Sequence, residues 1–341
     1  MEFAFGITHV RTLVQNELTK AYMTEQELRN CITTFSSPFK DSVTKKEMDD
    51  LFDDMRSIHG VRMEVFGSVL SGDDPTHDAK WLSNTRQKNT DWYYWNRYKQ
   101  YLINQGFPGE VLRETDKKTN AIIELCGDPK VDYPFDRRGM VMGDVQAGKT
   151  GNYTALVNKA ADVGYRVIII IAGIHENLRS QTQKRIDEGL IGRDSNFGAT
   201  EIRADRGRVG VGWEDFRRLP KSLTNRSADF RIGRASQNWR MDSGKDEPFV
   251  FVIKKNTNIL NHLIKWFKSN NTHKGSELID LPMILIDDEA DNASINIAKY
   301  ADKISTINSQ IRKLLNLFEK SSYVGYTATP FANIFIDPDS F

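Results

Sequence analysis

The distribution of apolar and polar positions changes at about residue 130. Before that point, apolar residues recur at helical spacing between polar breaks, which predicts a mainly α-helical N-terminal region over 1–130. In the clearest example, Thr44 is placed as the N-cap of a helix whose apolar face includes Leu51 and Met55. The sequence therefore predicts helices, and no strands, in this part of the chain.

A second helix is predicted over Trp92–Ile103, where aromatic side chains crowd nearly every face. These aromatic residues are Trp92, Tyr93, Tyr94, Trp95, Tyr98 and Tyr101. Such side chains can stack on nucleic-acid bases, but an aromatic cluster at helical spacing is more often packing between domains. Packing is therefore the preferred interpretation, and none of these residues is assigned to a site.

After Pro134 the pattern changes to short apolar runs that alternate with helix-length segments. The runs predicted as strands are Gly139–Met142, Arg166–Ala172, Phe249–Ile253, Met283–Ile286 and Tyr323–Gly325. Runs of this kind, separated by helices, are typical of a parallel sheet that is covered on both faces. We therefore predict an α/β domain over 131–341.

One stretch, at about 193–246, interrupts this alternation because it has no clear strand pattern and is rich in Arg and Gly. We predict an insertion or surface excursion there. Acidic residues such as Asp205, Glu214 and Asp215 are interleaved with the arginines. A solvated loop region and a phosphate-contacting patch are about equally compatible with that mixture.

Composition and charge restrict the class only modestly. Hydrophobic residues at 39% and charged residues at 27% argue against a wholly disordered or fibrous chain. A formal net charge of +1 gives no sign of a nucleic-acid partner. The two cysteines, Cys31 and Cys126, lack partners at metal-ligand spacing, which predicts a reduced protein without structural zinc. Because the N-terminus shows no signal pattern and the longest apolar run, Val167–Ile174, cannot span a bilayer, we expect a cytoplasmic protein with no membrane partner.

The strongest chemical signal is a phosphate-binding loop. Residues 143–150 match G-x-x-x-x-G-K-[ST] in full, between a predicted strand and a helical pattern over Tyr153–Ala161. In such a loop, backbone N–H groups wrap the β-phosphate, Lys149 reaches the β- and γ-phosphate oxygens, and the Thr150 hydroxyl ligates Mg²⁺. The predicted nucleotide-binding residues are Gly143, Asp144, Val145, Gln146, Ala147, Gly148, Lys149, Thr150 and Gly151.

A carboxylate cluster follows the predicted strand Met283–Ile286. Carboxylates at the carboxyl end of a strand lie beside the phosphate loop in an α/β sheet, where they hold Mg²⁺ and polarise the attacking water. Asp288 is assigned to the metal and Glu289 to the water, with Asp287 as a competitor for the metal role. The alternative is an acidic helix N-terminus stabilised by the helix dipole. The presence of the phosphate loop favours the catalytic interpretation.

A third motif follows the last predicted strand. Thr327-Ala328-Thr329 would bring the hydroxyls of Thr327 and Thr329 near the acidic cluster, where they could sense the γ-phosphate. The motifs occur in the order phosphate loop, Asp288-Glu289-Ala290-Asp291, and Thr327-Ala328-Thr329. That order resembles superfamily-two helicases and translocases, which implies a RecA-like lobe for the α/β domain.

Four further segments narrow the resemblance. They are Arg137–Gly139 leading into the phosphate loop, Ala160–Arg166, Ala172–Gln183 and Tyr326–Asn333. Together they are similar to the Z-one domain family of bacterial, helicase-like proteins, which are often described as endonucleases and occur beside restriction, modification and phage-defence genes. The resemblance covers about 130–341 and implies ATP as the nucleotide. The residues themselves do not select ATP over GTP, because the adenine-reading glutamine of many such helicases is absent before the loop.

The same resemblance implies DNA as a partner and suggests where it would bind. Residues 178–185 correspond to a stretch with which helicases contact the DNA backbone, and the two lysines after the run Phe249–Ile253 are second-rank candidates. The candidate contacts are Arg179, Gln181, Gln183, Lys254 and Lys255. For Arg179, Gln181 and Gln183, the alternative to DNA contact is the polar surface of a helix.

These observations predict an ATP-hydrolysing lobe of a helicase- or translocase-like motor that acts on DNA in bacterial restriction or phage defence. The rival class is a nucleotide-sensing switch that recruits partners and hydrolyses little, although a pure sensor has no need of a water-activating Glu289. An RNA remodeller is a third class. Such motors use a second RecA-like lobe, so we expect that lobe, and any nuclease or other defence protein, to be further partners.

Overall fold

The computed structural model describes residues 3–20, 25–39, 42–59, 77–78, 80–86, 88–142, 149–197, 207–232, 247–270, 278–290 and 306–327. The helices in these ranges are α1 (Phe3–Lys20), α2 (Glu25–Ser36), α3 (Lys45–His59), α4 (Tyr93–Asn104), α5 (Gly109–Leu125), α6 (Lys149–Val163), α7 (Glu176–Ile186), α8 (Thr257–Asn270) and α9 (Thr306–Leu315). The strands are β1 (Phe135–Met142), β2 (Val167–Ala172), β3 (Lys221–Ser222), β4 (Phe249–Ile253), β5 (Met283–Asp288) and β6 (Lys320–Thr327). None of these helices is both long and apolar enough to cross a membrane.

The strands form one six-stranded sheet in the order β1-β6-β5-β2-β4-β3, and every neighbouring pair is parallel. The predicted α/β class is therefore confirmed, and all five predicted strands are present. The sixth strand, β3, lies inside the stretch that showed no strand pattern. Its two residues, Lys221 and Ser222, are too few to establish a period.

Helices cover both faces of the sheet, and the alternation of side chains along each strand divides the core. In β2, Ile168 and Ile170 pack with α6, whereas Ile169 and Ile171 pack with α8 and α9. The chain crosses the sheet one way from β1 to β2 and the other way from β4 to β6. Because crossovers between parallel strands are right-handed, these opposite directions place α6 on one face and α8 and α9 on the other.

Helices α1 to α3 share a small apolar core of their own. The predicted start of α3 is confirmed in detail by a reciprocal cap. The backbone N–H and the hydroxyl of Thr44 donate to Glu47 at 2.8 Å each, and the N–H of Glu47 donates back to the Thr44 hydroxyl at 3.2 Å. This capping lowers the pKa of Glu47.

Helices α4 and α5 belong to the core of the sheet, because both pack on α6. The Asp162 carboxylate of α6 accepts the N–H groups of Tyr94 and Trp95 at 2.8 Å each and so satisfies the first turn of α4. The aromatic side chains at positions 93, 94, 95 and 98 are all buried. The packing interpretation of this helix is therefore confirmed for those four side chains.

The described part of the Arg- and Gly-rich stretch contacts α4. Tyr93 of α4 donates its hydroxyl to Asp215 at 2.7 Å. The arginines here pair with carboxylates of the same chain: Arg217 with Asp215 at 2.6 Å and Arg218 with Asp91 at 2.7 Å. Such exposed pairs contribute little stability, but they leave these two arginines with protein partners.

Candidate functional site

The carboxyl ends of the parallel strands meet at one edge of the sheet, and a cleft opens there between α6, α7 and the end of β5. This is the edge at which open α/β sheets bind their ligands. The polar lining of the cleft comes from Thr150, Gln181, Thr182, Arg185, Asp288 and Glu289. Three of the residues predicted for nucleotide and metal are therefore brought together, because Thr150 lies beside Asp288 and Glu289 although it is far from them in sequence.

Lys149 and Thr150 are the first two residues of α6, where the backbone N–H groups and the helix dipole favour an anion. The helix is fixed in place because one turn later its side chains are buried against the sheet. For example, the hydroxyl of Tyr326 donates to Asn152 at 2.8 Å. Residues 143–148 of the predicted phosphate loop lie outside the described residues, and Gly151 is exposed on α6.

The consecutive residues Asp287 and Asp288 lie on opposite faces of β5. Asp288 lines the cleft, and its carboxylate accepts the Tyr153 hydroxyl at 3.3 Å. Burial, and then the charge of Glu289, raise the pKa of Asp288, while Lys149 opposes the shift. A carboxylate with a raised pKa in a cleft is a common property of functional sites.

Asp287 is enclosed on the other face. Its carboxylate lies 2.7 Å from the ammonium of Lys255 and accepts the Tyr323 hydroxyl at 2.9 Å. The side chains of Asp287 and Lys255 are both 0% exposed. Because the oxygens of Asp287 are committed to this buried network, the geometry favours Asp288 over Asp287 for the metal role.

The same lysine holds the turn that carries Glu289. The Lys255 ammonium donates to the carbonyl of Glu289 at 2.6 Å and to that of Asp288 at 3.3 Å. The N–H of Ala290 donates to the carbonyl of Tyr326 at 2.8 Å. Glu289 has a φ of 60°, a left-handed conformation that costs a non-glycine residue about 1–2 kcal/mol. The bonds on either side therefore hold a strained backbone in place.

Gly173 lies just after β2, beside the Glu289 side chain. Its φ is 54°, and a Cβ at this position would lie 3.0 Å from Leu178 Cδ1 and 3.5 Å from Glu289 Oε2. Its carbonyl also accepts the N–H of Lys255 at 2.8 Å. A larger residue would be strained here by the backbone conformation and would press on Leu178.

The donor set fits a nucleotide-bound magnesium ion. Among the residues that the structure describes, no group of three or more His, Cys, Asp or Glu side chains could hold a metal. Mg²⁺ in phosphate-transfer sites needs only one or two protein oxygens, since phosphates and waters complete its octahedron. The Thr150 hydroxyl and the Asp288 carboxylate supply that sparse set from one cleft.

Arg185 was not predicted as part of this site. It lies in the last turn of α7, and its Nη1 donates to the Thr150 hydroxyl at 2.8 Å. From the sequence alone, a basic residue at this position is read as a complement to the helix dipole. Only the packing of α7 beside α6 reveals that the side chain reaches the cleft.

Three of the five predicted DNA contacts are buried, which corrects the expectation for them. Arg179 and Gln183 are 0% exposed and Lys255 is 2% exposed. The guanidinium of Arg179 donates to Glu176 at 2.7 Å and to the carbonyl of Arg226 at 3.0 Å. Side chains in these positions are not available to a polynucleotide in this structure, because this face of α7 packs on the sheet and on residues 222–226.

The other two predicted contacts remain accessible. Gln181 is exposed but lines the cleft beside Thr150, and Lys254 is half-buried and pairs with Glu176 at 3.1 Å. Thr327, proposed to couple to the nucleotide, is fully buried at the end of β6. Its predicted companion Thr329 lies outside the described residues.

Two tyrosines of the site were also missed. Tyr153 contacts Asp288 from α6, and Tyr323 contacts Asp287 from β6. Period-two alternation puts residues 285, 287, 323 and 325 on one face once the register Leu285↔Tyr323 is known. The sequence does not reveal that register, so Tyr323 could not be assigned, and the contact of Tyr153 depends on how α6 packs beside β5.

A scan against protein-family models finds no match to this chain, and a search of curated proteins finds none with significant similarity. The Z-one family resemblance therefore stays a prediction.

Proposed function

We propose that this protein is the ATP-binding and ATP-hydrolysing lobe of a helicase- or translocase-like motor with a RecA-like core. The observation that carries the proposal is the convergence of the α6 N-terminus and the β5 carboxyl end on one cleft. A phosphate-loop sequence that ends in Lys149 and Thr150 thereby faces a pair of acidic residues across a space open to a ligand. Both motifs were identified from the sequence alone. Their convergence on one cleft is a separate, structural observation.

In this proposal the α6 N-terminus and Lys149 bind the phosphates of ATP. The Thr150 hydroxyl and the Asp288 carboxylate would hold Mg²⁺, which, when bound, neutralises charge on the β- and γ-phosphates. Glu289 orients a water molecule and accepts its proton as the water oxygen bonds to the γ-phosphorus. The bond from that phosphorus to the β–γ bridging oxygen breaks, and ADP and phosphate leave.

The turn at Glu289 favours an enzyme over a passive nucleotide sensor. A strained residue held by bonds from Lys255, just after β4, and from Tyr326 of β6 is typical of a group whose position matters for chemistry. A sensor needs the phosphate and metal contacts but has no use for a further carboxylate held in a fixed position. We therefore propose turnover as well as binding.

The polynucleotide part of the proposal rests on the family resemblance. With Arg179, Gln183 and Lys255 buried, the accessible candidates are Gln181 and Lys254. We propose DNA as the substrate on which the motor acts, in restriction or phage defence. A second RecA-like lobe and associated defence proteins would be its partners.

The test is ATP hydrolysis by the full chain alone and with double-stranded DNA, single-stranded DNA or RNA. We expect turnover that DNA raises. The Glu289→Gln variant should bind ATP as the wild type does and lose at least about a hundredfold in turnover, because a general base contributes that much. Glu110→Gln, an exposed carboxylate on α5, serves as the matched control and should hydrolyse normally.

Each outcome discriminates between classes. Wild-type turnover in Glu289→Gln would show that another group activates the water. Tight ATP binding without turnover under every condition would favour the switch. Stimulation by RNA and not by DNA would replace the DNA motor with an RNA remodeller.

A further inference from the structure

Arg185 is a cation in contact with the residue proposed to ligate magnesium. Its Nη1 lies 2.8 Å from Thr150 Oγ1 across the boundary between α7 and α6. Asp288 and Glu289 line the same cleft. The guanidinium therefore lies within the polar space that the nucleotide phosphates would enter.

The other basic residues of α7 have different surroundings. Arg179 is buried and bonded to Glu176 and to the carbonyl of Arg226. Lys184 is 55% exposed and faces Glu188 at 3.8 Å. Of these three described cations, Arg185 is the one that lines the cleft. Its position is thus specific and does not follow from the general charge of the helix.

The contact between Arg185 and Thr150 is incompatible with a magnesium ion on the same hydroxyl. Thr150 would hold Mg²⁺ through its hydroxyl, and a guanidinium bonded to that same hydroxyl would be repelled by the divalent cation. The guanidinium would then have to leave the hydroxyl and bond another acceptor. Its five N–H groups act only as donors, so its new partner must be an acceptor atom. An incoming phosphate supplies anionic oxygens at that place.

We propose that Arg185 is a binding residue for the terminal phosphate of the nucleoside triphosphate, supplied by the same lobe that binds the rest of the nucleotide. The inference rests on the proposed function. Its place beside Thr150, in the cleft that Asp288 and Glu289 also line, puts the Arg185 guanidinium within reach of the γ-phosphate oxygens of a bound triphosphate. It thereby distinguishes a triphosphate from a diphosphate.

The choice of the γ-phosphate follows from the side on which Arg185 stands. The α6 N-terminus and Lys149 take the inner phosphates. Arg185 lies on the part of the cleft shared by Thr150, Asp288 and Glu289, where the water-bearing side of the terminal phosphate would be. The planar fork of arginine bonds two oxygens of a phosphate at once, whereas lysine offers a point charge.

The test is calorimetric titration of the full chain with ADP and with a non-hydrolysable ATP analogue, both in the presence of Mg²⁺. Arg185→Ala should weaken the ATP analogue about tenfold and change ADP affinity by less than about twofold, since one charge-assisted contact is removed from the triphosphate alone. Arg185→Lys should fall between the wild type and the alanine variant. Lys184→Ala, the exposed neighbour, is the matched control and should bind both nucleotides as the wild type does.

The results separate the two proposals. If Arg185→Ala weakens both nucleotides equally, or neither, while the wild type binds both, the role of Arg185 is wrong and the proposed ATPase stands. If the wild type binds neither nucleotide, the proposed function fails and the inference fails with it. Thermal unfolding of each variant should match the wild type, because the Arg185 contact is exposed and contributes little stability.

Discussion

The two faces of the sheet at its carboxyl edge hold similar chemical groups in opposite environments. On the α6 face, Asp288 meets a tyrosine hydroxyl in an open cleft. On the α8 and α9 face, Asp287 meets a tyrosine hydroxyl and a lysine in a closed core. A difference of one residue along β5 thus separates a carboxylate that is free to meet a ligand from one that is committed to the protein.

The two carboxylates therefore have different roles although they are consecutive residues of β5. The closed network, Asp287 with Lys255 and Tyr323, holds the end of β5 and the Glu289 turn in position. The open cleft presents the carboxylates of Asp288 and Glu289 to a space that a ligand can enter. Pre-organisation of a site depends on neighbouring residues that hold its functional groups in position.

The largest effect should come from the open face. Lys149→Ala should weaken ATP binding by at least about a hundredfold, because a buried phosphate loses its main cationic contact, and should leave the melting temperature nearly unchanged. Fluorescence titration with labelled ATP measures the first quantity and calorimetry the second. Lys265→Ala, an exposed lysine on α8, is the control. Equal affinities for the Lys149 and Lys265 variants would contradict the site.

The closed face should respond in the opposite way. Lys255→Met leaves Asp287 buried without its cation, which should lower the free energy of unfolding by about 3–5 kcal/mol, as measured by urea denaturation. The double variant Lys255→Met, Asp287→Leu removes both charges and should regain most of that loss.

Activity then separates stability from positioning. The double variant lacks the ammonium that holds the Glu289 carbonyl, so its ATP turnover should stay low although its stability returns. If turnover returned together with stability, Lys255 would support the fold and have no role in positioning Glu289. If the single variant lost less than about 1 kcal/mol, the buried pair would be less important than its geometry indicates.

The sequence predicted the layers of this molecule far better than its contacts. Strands such as Phe249–Ile253 are identified because buried parallel strands are continuously apolar. The phosphate-loop and acidic motifs located both halves of the cleft. The pairing of Lys255 with Asp287 could not be read, because it depends on strand order and register, and these are properties of residues far apart in sequence. The same limit led to the assignment of Arg179 and Gln183 to DNA.

A smaller change should sharpen the account of the closed face. Tyr323→Phe removes one hydroxyl from Asp287 and keeps the lysine, so the free energy of unfolding should fall by about 1–3 kcal/mol in urea denaturation. Tyr133→Phe is the matched control, because Tyr133 is 46% exposed and should tolerate the change. Equal stabilities for the two variants would show that the hydroxyl of Tyr323 does not support the network.

The last effect concerns the pH dependence of stability and a second buried lysine. Lys159 is 0% exposed, but its partner Asp116 is 44% exposed, and burial lowers the pKa of Lys159 to about 8 from 10.5. At pH values between about 8 and 10.5, Lys159 binds a proton more fully in the unfolded chain than in the folded one. The free energy of unfolding should therefore rise as the pH rises from about 8 towards 10. Urea denaturation at pH 7.5 and 9.5 should show this rise in the wild type and a smaller one in Lys159→Met. An identical pH dependence in the wild type and in Lys159→Met would contradict the assignment of this rise to Lys159.

The placement of β1 has a consequence for the order in which the chain acquires its structure. Among the strands that the structure describes, β1 lies at the edge of the sheet and pairs with β6, and residues that meet across this pair, such as Asp136 and Ser321, are 185 apart in sequence. At a synthesis rate of about 5–20 residues per second, β1 waits roughly ten to forty seconds on the ribosome before its partner exists. The strand that leads into residues 143–150 is therefore among the last to be paired. A chain interrupted before β6 would contain Thr150, Asp288 and Glu289, yet β1 would lack the strand with which it pairs.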